Sequence, residues 1–304
     1  MQKCSIDTAL LLMHDSIITN KSTVFSEGGT ISLNQIDIER TLTTQFSRSL
    51  LAPFSRALRE YRMISSGDRV AVCISGGKDS MLLAKLLQNC QRHMDFSLVY
   101  LAMDPGYAPE NRAHIEENAC TLGLPVEFFE TNVLRVAANH ASAHPCFLCA
   151  KMRRGHLYAE AQKRGCNKIA LGHHYNDAIE TVLMGLLYGG QVQAMLPRLQ
   201  SKNYPGMELI RPLCMVREHA VSAWAAACGL TFLPCGCPAS ERKEETKRAE
   251  IKALIAALAA DNPQVEANIL NAVKNINTEK VLGWKDASGQ KHSFLDKFSD
   301  HLSI

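Results

Sequence analysis

Two groups of residues in this chain have the types and the spacing that chemistry requires. One is the string Ser75-Gly-Gly-Lys-Asp-Ser80, which directly follows the apolar run 69–74. The other is a set of four cysteines in two closely spaced pairs: Cys146 and Cys149 as C-x-x-C, then Cys235 and Cys237 as C-x-C. The first group is typical of an anion-binding loop, and the second of a metal or redox centre.

The six-residue string combines the features of a loop that binds phosphate. Gly76 and Gly77 let the backbone turn sharply, so that N–H groups can approach phosphate oxygens. A helix beginning near Ser80 would add its positive N-terminal end. Lys78 supplies a mobile charge, and Asp79 would repel phosphate unless a cation such as Mg²⁺ lies between them. The span is shorter than G-x-x-x-x-G-K-[ST], which suits a grip on pyrophosphate during adenylyl transfer. An ordinary glycine turn is the structural alternative.

The C-x-x-C spacing lets two thiolates turn toward one centre, so Cys146 and Cys149 form a strong ligand pair. Taken alone, the pair could also be a redox dithiol or part of a structural zinc site. A third thiolate must come from the distant Cys235 or Cys237. A complete Cys₄ zinc site would need both, although C-x-C is not its usual second half. A cubane held by three thiolates would instead leave one iron open to an external sulfide.

Further candidates follow the predicted strand that ends near Leu171. The carboxyl ends of parallel strands are where open sheets place their sites. We expect Gly172 to allow close approach of a nucleotide, and Asp177 to complete a Mg²⁺ site or assist adenylation. His173 has two interpretations, a structural hydrogen bond between loops or a catalytic role. The sequence assigns no role to His174.

Arg153 and Arg154 follow the C-x-x-C pair, on what should be the first turn of a helix. Such basic pairs are usually solvated. Beside an active centre, however, one of them could stabilise anionic phosphate or an RNA backbone. We take Arg153 as the candidate for that role.

Short apolar runs alternate with segments of helical periodicity. The runs predicted as strands are 69–74, 96–103, 126–129 and 168–171. The helices expected between and after them are 81–87, 110–122, 152–163, 177–187, 221–228 and 241–259. This alternation predicts an α/β fold with a mostly parallel, doubly wound sheet covered on both faces, and helical appendages at both ends.

The same reading divides the chain into four parts. Residues 1–34 are predicted to be a variable or loosely ordered arm. Residues 35–65 form a helical segment that Pro53 interrupts or restarts. Residues 66–240 form the catalytic domain, and 241–304 a helical tail whose last forty residues show no clear pattern.

Composition sets broad limits. The 304 residues carry a formal net charge of +3, which permits nucleic-acid binding through a local patch without requiring it. No apolar run is long enough to cross a bilayer and the first residues lack a secretory signal, so we expect a cytoplasmic protein. In that compartment eleven cysteines argue against a disulfide framework. Those outside the two pairs should mostly be small buried hydrophobes.

These motifs, in this order, resemble the tRNA 2-thiocytidine synthetase family of the PP-loop ATP pyrophosphatase superfamily. The string 75–80 is similar to the PP-loop itself, and the resemblance covers roughly residues 40–260. The motifs that narrow it to this family are Gly67-Asp-Arg-Val70, 146–155, Ile169-Ala-Leu-Gly-His-His174, Leu187-Tyr-Gly-Gly190, Ile210-Arg-Pro-Leu213 and Leu233-Pro-Cys235.

The resemblance implies an ATP- and Mg²⁺-dependent enzyme that adenylates the C2 oxygen of a tRNA pyrimidine, cytidine 32, and replaces it with sulfur. It implies a [4Fe–4S] cluster on Cys146, Cys149 and Cys235. The implied partners are tRNA and a cysteine desulfurase as sulfur source, and a homodimer is one candidate assembly. Two departures leave roles open: Cys237 lies two residues after Cys235 instead of three, and Asn176 stands where relatives often carry an acid.

The candidate catalytic residues are therefore Lys78, Asp79, Asp177 and Arg153. The residues expected to bind ATP are Ser75, Gly76, Gly77, Lys78, Asp79, Ser80, Gly172 and His173. Two rivals share the loop chemistry, a tRNA 2-thiouridine synthetase and a PP-loop ligase, of which the ligase has no need of the cysteines. A rival of another class is a non-catalytic, metal-containing RNA-binding protein, against which the intact Lys78-Asp-Ser80 argues.

Overall fold

A computed structural model of the chain describes residues 35–106, 109–133, 136, 145–232 and 244–298. Its centre is a six-stranded sheet in the order β3-β2-β1-β4-β6-β5, parallel except for β5. The strands are β1 Arg69–Ile74, β2 Ser97–Asp104, β3 Val126–Glu130, β4 Lys168–Ala170, β5 Arg198–Gln200 and β6 Glu208–Ile210. The strand order reverses between β1 and β4, and open α/β sheets bind ligands at the carboxyl edge of such a switch point.

Helices connect and follow these strands. They are α1 Gln35–Thr43, α2 Ala52–Glu60, α3 Lys78–Gln91, α4 Pro109–Leu122, α5 Pro145–Lys163, α6 Tyr175–Gly189, α7 Glu218–Ala227, α8 Glu244–Asp261 and α9 Val265–Lys274. A π-helical turn at Ser47–Leu51 precedes α2, and a hairpin of β7 Gly283–Lys285 and β8 Lys291–Ser293 follows α9. None of the described helices is both long and apolar enough to span a membrane.

The predicted α/β class and mostly parallel sheet are confirmed. Pro53 restarts the N-terminal helical segment as the second residue of α2, a position where its fixed φ favours the helix. Helix α5 begins at Pro145, so the C-x-x-C pair is helical rather than part of a preceding loop. The short strands β5 and β6 were missed because three residues are too few to show an alternating pattern.

Alternate side chains of β1 enter two different cores. Val70, Val72 and Ile74 lie in a large cluster with side chains of α1, α2, α3, α4 and α7, at the centre of which Trp224 is fully buried. Ala71 and Cys73 face the opposite side, where Tyr158 and Ala161 of α5 cover the sheet. The sheet is therefore covered on both faces, and the N-terminal helical segment shares its core.

The scattered cysteines mostly behave as small core residues. Those buried are Cys73, Cys90, Cys166, Cys214 and Cys228. Burial raises the pKa of the Cys73 and Cys90 thiols to about 12, so both stay neutral. Cys120 is the exception among the described ones, because it is exposed, and Cys4 lies outside the described residues.

Contacts divide the chain into two units. The first contains the described residues up to Ala178 and those from Met195 to Lys247, including the whole sheet. The second contains 179–194 and the chain from Arg248 onward. Within the second unit the Tyr188 hydroxyl donates to Glu250 at 2.8 Å, and in the β7–β8 hairpin Trp284 stacks on His292 with ring centroids 5.1 Å apart.

Both edges of the large sheet carry charge. On edge strand β3, Glu127 pairs with Arg164 at 2.7 Å, and the exposed Glu130 lies 3.6 Å from Arg112. On edge strand β5, Arg198 forms a bidentate pair with Glu208 of β6, at 2.7 and 3.0 Å. Each edge strand of the sheet therefore carries charged side chains that are held in ion pairs.

A buried ionic network joins the amino ends of β1, β4 and β6. Lys168 Nζ lies 2.7 Å from Glu208 Oε2 and 3.2 Å from Asp68 Oδ2, and all three side chains are largely buried. Asn167 donates to the other oxygen of Asp68 at 2.7 Å. The Gly67-Asp-Arg-Val70 motif therefore has a structural reason, because Asp68 ties the start of β1 to that of β4.

We predict that Lys168→Met lowers the free energy of unfolding by about 3 kcal/mol, because it leaves the buried Asp68 carboxylate without a cation. Adding Asp68→Asn should recover part of that loss. The matched control is Lys163→Met, which removes an exposed cation paired with Glu160 and should cost less than about 1 kcal/mol. Urea titration of the three variants measures this, and equal losses for Lys168→Met and Lys163→Met would contradict it.

Candidate active site

The string 75–80 forms the connection from β1 to α3, at the carboxyl edge of the sheet. Gly76 has φ +85°, and a Cβ there would lie 2.7 Å from Ile115 Cγ1, so backbone and packing both require glycine. Gly77 precedes the first helical residue, which makes Lys78 the start of α3, two residues earlier than expected. The loop thus delivers backbone N–H groups and the positive end of a 14-residue helix to one place.

The two serines of the loop hydrogen-bond to each other and to the loop backbone. Ser80 Oγ accepts from the backbone N–H and the hydroxyl of Ser75, both at 3.1 Å, and donates to the Gly77 carbonyl at 2.9 Å. Only 3% of Ser80 is exposed. Its hydroxyl therefore sets the shape of the loop in the ligand-free protein, whereas the sequence suggested only a group offered to phosphate.

Asp177 and His174 form a reciprocal cap at the start of α6. His174 N–H donates to Asp177 Oδ2 at 2.8 Å, and Asp177 N–H donates back to His174 Nδ1 at 3.3 Å. This is the capping-box arrangement, with histidine at the position usually held by serine or threonine. Because Nδ1 accepts, the ring proton belongs on Nε2, which lies 3.9 Å from Asp79 Oδ1. His174 therefore stands between the two carboxylates.

Asp79 occupies an unfavourable position for a carboxylate. Burial raises its pKa, the charge of Asp177 adds to that effect, and the nearby Lys78 and His174 side chains only partly oppose it. Its Oδ1 is buried and has no hydrogen-bond partner among the residues that the structure describes. An ionised Asp79 in the ligand-free protein thus lacks a full set of partners, which a cation would supply.

Lys78 lies between two acids. Its Nζ is 3.4 Å from Asp79 Oδ2 and 3.6 Å from Glu218 Oε1, at the start of α7. Asn176, which stands where an acid was expected, accepts instead from the backbone N–H of Glu218 at 3.0 Å. Asn176 therefore links α6 to α7 and helps to position Glu218 near Lys78.

Gly172 packs against the loop itself. A Cβ at this position would lie 3.0 Å from the backbone carbon of Asp79 and from the backbone nitrogen of Ser80. The segment after β4 can cross the start of α3 only because it has no side chain there. The expected approach of a nucleotide to Gly172 stays a prediction, and the observed reason for glycine is contact between the two loops.

The remaining candidates lie on the neighbouring elements. His173 is half-buried beside Gly172, and Arg153 is half-buried on α5. Cys146 and Cys149 lie in the first turns of α5. Cys235 and Cys237 lie outside the described residues. Three cysteine thiolates would be a soft donor set suited to an iron–sulfur cluster, and two of these cysteines belong to one helix.

Sequence reasoning missed three groups that the structure brings to this edge: His174, Glu218 and Arg211. His174 could have been found from its spacing to Asp177, which matches a capping box. Arg211 belongs to a motif that was noted without a role. Glu218 gave no local signal, because only the packing of α7 against α3 brings it to Lys78.

Comparison with known proteins places these features in a family. The model of the PP-loop domain family matches residues 42–258. The chain is 36% identical over 243 residues to the tRNA-cytidine(32) 2-sulfurtransferase of Anaeromyxobacter dehalogenans strain 2CP-C, covering 78% of this chain and 82% of the relative. It is 39% identical over 229 residues to that of Alkalilimnicola ehrlichii, covering 72% and 70%.

A solved structure shares the fold. The U34-tRNA thiolase NcsA from Methanococcus maripaludis, determined with its [4Fe-4S] cluster, superposes with a TM-score of 0.61 at 21% identity. The alignment covers 79% of this chain and 86% of that one.

We predict that Asp79→Asn raises the melting temperature of the ligand-free protein at pH 7.5. The folded state raises the pKa of Asp79, so folding disfavours the ionised carboxylate, and the neutral amide removes that cost. The gain should shrink as the pH falls through the folded-state pKa, where the native carboxyl is itself neutral. Asp177→Ala is the control and should lower stability by about 1 kcal/mol through loss of the cap. Thermal melts from pH 4 to 8 measure both, and a melting temperature of Asp79→Asn below that of wild type at pH 7.5 would refute the interpretation.

Proposed function

Because this chain belongs to the PP-loop family and, within it, to the tRNA-cytidine(32) 2-sulfurtransferases, we propose that it replaces the C2 oxygen of cytidine 32 in tRNA with sulfur at the expense of ATP. The observation that supports this most directly is that the fold directs the cysteine pair of α5 and the 75–80 loop toward the same edge of the sheet. Helix α5 ends just before the amino end of β4 and packs along the sheet. Over 19 residues it rises about 28 Å, so its first turns, with Cys146 and Cys149, reach toward the carboxyl edge that carries the loop.

The loop and α3 are suited to hold the phosphates of ATP. The backbone N–H groups around Gly76 and Gly77 and the N-terminal end of α3 favour anions. Lys78 can leave its two carboxylates for pyrophosphate, whose charge is larger. Asp79 and Asp177 offer oxygen ligands to Mg²⁺, which commonly takes one or two carboxylates and completes its shell with phosphate oxygens and water.

His174 contributes by position. Its backbone and ring hold Asp177 in the cap, while its Nε2 proton faces Asp79. The two carboxylates therefore keep a fixed separation before ligand binds, which reduces the reorganisation needed when a cation enters.

The proposed reaction begins with adenylation. The C2 oxygen of the cytosine attacks the α-phosphorus of ATP, a P–O bond to pyrophosphate breaks, and the charge that develops on the leaving group is taken up by Lys78 and the loop. Sulfide then attacks C2, and AMP leaves with the former C2 oxygen. No net oxidation occurs, because sulfur enters at the sulfide level and remains there in the thiocarbonyl.

Cys146, Cys149 and Cys235 are the residues that would hold a [4Fe–4S] cluster. When bound, a cluster with three protein thiolates supplies an iron with an open position for sulfide. A cysteine desulfurase is the proposed sulfur source, the cytoplasm the proposed compartment, and a homodimer the proposed assembly to be checked. Cys237 is proposed to be dispensable for the cluster, because only Cys235 matches the position of the family's ligand.

The function is tested by mass spectrometry of tRNA nucleosides from a strain that lacks this gene. We expect 2-thiocytidine to disappear and to return with the wild-type gene, but not with Lys78→Ala, Cys146→Ala or Cys235→Ala. The cysteine variants should lose bound iron and labile sulfide, whereas Lys78→Ala should keep both, because the loop and the cysteines perform separate tasks.

Two controls sharpen the result. Cys237→Ala should keep the cluster and much of the activity, and Cys120→Ala, which removes an exposed thiol on α4, should be indistinguishable from wild type. An unchanged nucleoside profile in the deletion strain would reject the function. Loss of iron in Cys237→Ala but not in Cys235→Ala would show that the wrong ligand had been chosen.

A further inference from the structure

Arg211 stands at the same edge of the sheet as the loop. It directly follows β6, its backbone N–H donates to Pro197 O at 2.8 Å, and the preceding Ile210 O accepts from Leu171 N–H at 3.0 Å. Leu171 begins the segment that leads to Asp177. Arg211 therefore lies one strand away from the candidate site, although none of the roles proposed above uses it.

The Arg211 side chain is buried, and within the part of the chain that the structure describes it has no counter-ion. Only 8% of the residue is exposed, its Nη1 donates to Leu196 O, and its buried Nε has no hydrogen-bond partner within the described ranges. The two buried lysines of the described chain each have a carboxylate close by: Glu39 at 2.8 Å from Lys85, and Glu208 at 2.7 Å from Lys168. No carboxylate in the same described ranges forms an ion pair with Arg211.

A second cation makes the surroundings less favourable. Burial, and next the charge of Arg154 on α5, lower the pKa of Arg211 to about 10, while Tyr158, Cys214 and Asp177 oppose this only in part. Arg211 still carries its charge at neutral pH. A buried, partly unsatisfied guanidinium that is also repelled by the charge of the exposed Arg154 is costly in the empty protein, and an anion placed against the two would remove that cost.

We propose that Arg211, together with Arg154, binds a phosphate group at a subsite separate from the 75–80 loop. Guanidinium forks match phosphate oxygens in geometry as well as in charge. Two molecules could supply this phosphate group: tRNA, through a phosphodiester, or the nucleotide, through one of its phosphates. Identifying the source rests on the proposed function, whereas the subsite itself does not.

The subsite is tested first with inorganic phosphate and purified protein. Phosphate should raise the melting temperature of wild type more than that of Arg211→Met or Arg154→Gln, while Lys78→Ala should keep the part of the rise that depends on Arg211. Without phosphate, Arg211→Met should melt no lower than wild type, since it removes an uncompensated charge. Arg164→Gln is the matched control, because that arginine lies beyond the other end of α5 and is already paired with Glu127 and Glu160. It should retain the whole rise.

The second measurement identifies the source. If the ligand is a tRNA phosphodiester, Arg211→Met should weaken tRNA binding about tenfold and reduce the salt slope by roughly one, with ATP binding unchanged. If it is the nucleotide phosphate, ATP binding should weaken about tenfold instead, with tRNA binding unchanged.

A wild-type response to phosphate, ATP and tRNA in Arg211→Met would overturn the proposal. Should that variant fail to fold, the same wild-type response in Arg154→Gln would overturn it. Because the phosphate arm needs no thiolation, its failure is distinguishable from failure of the proposed function.

Discussion

The site depends on three parallel strands keeping one register, because only then do their carboxyl ends bring the phosphate loop, the His174–Asp177 cap and Arg211 to one edge. The pairing places Lys168 opposite Val70 on one side and opposite Glu208 on the other. A slip of one residue would turn Lys168 to the other face of the sheet and separate it from Asp68 and Glu208. In a low-dielectric interior, the resulting unpaired charges would be far more costly than a poorer apolar fit. The ionic network thus favours one register among several that the apolar side chains alone would tolerate.

The two ends of the sheet differ in how completely their buried charged groups are paired. At the amino end, buried Lys168 and its two acids satisfy one another. At the carboxyl end, Asp79 has a raised pKa. Among the described residues, its buried oxygen has no hydrogen-bond partner and Arg211 has no ion pair. Burial is common to both ends, so burial alone does not explain the difference. Groups left incomplete at one end are better explained as awaiting ligands, at some cost in stability to the empty protein.

The fold could be predicted from the sequence wherever a local pattern was long enough. The apolar run of β1 and the string 75–80 predicted a strand, a turn and a helix in succession. The three predictions supported one another, because a buried strand, a glycine turn and a helix start agree with a single α/β unit. The three-residue strands β5 and β6 gave no such pattern, and their pairing follows from distant partners such as Glu208. The C-x-x-C pair could be identified from its spacing, but its helical backbone could not, because Cys-Phe-Leu-Cys shows no helical period.

The same limit applied within the site. Lys78, Asp79 and Asp177 were predicted as site residues from local motifs. Glu218 was not, because its approach to Lys78 is a product of tertiary packing between α3 and α7. The role of Gly172 changed for a similar reason. Its lack of a side chain could be read from the sequence, whereas the backbone that it approaches belongs to another loop.

The charged edges of the large sheet also restrict how copies of this chain can associate. Strand β5 is only three residues long and uses Arg198 to pair with Glu208, and β3 presents Glu127 and Glu130. Short edge strands with charged side chains are poor templates for pairing with a strand from another molecule. Self-assembly by continuation of the sheet, and with it edge-to-edge aggregation during folding, is therefore disfavoured. Any dimer of this protein should form through helical surfaces, leaving the hydrogen-bonding rims of the sheet unused.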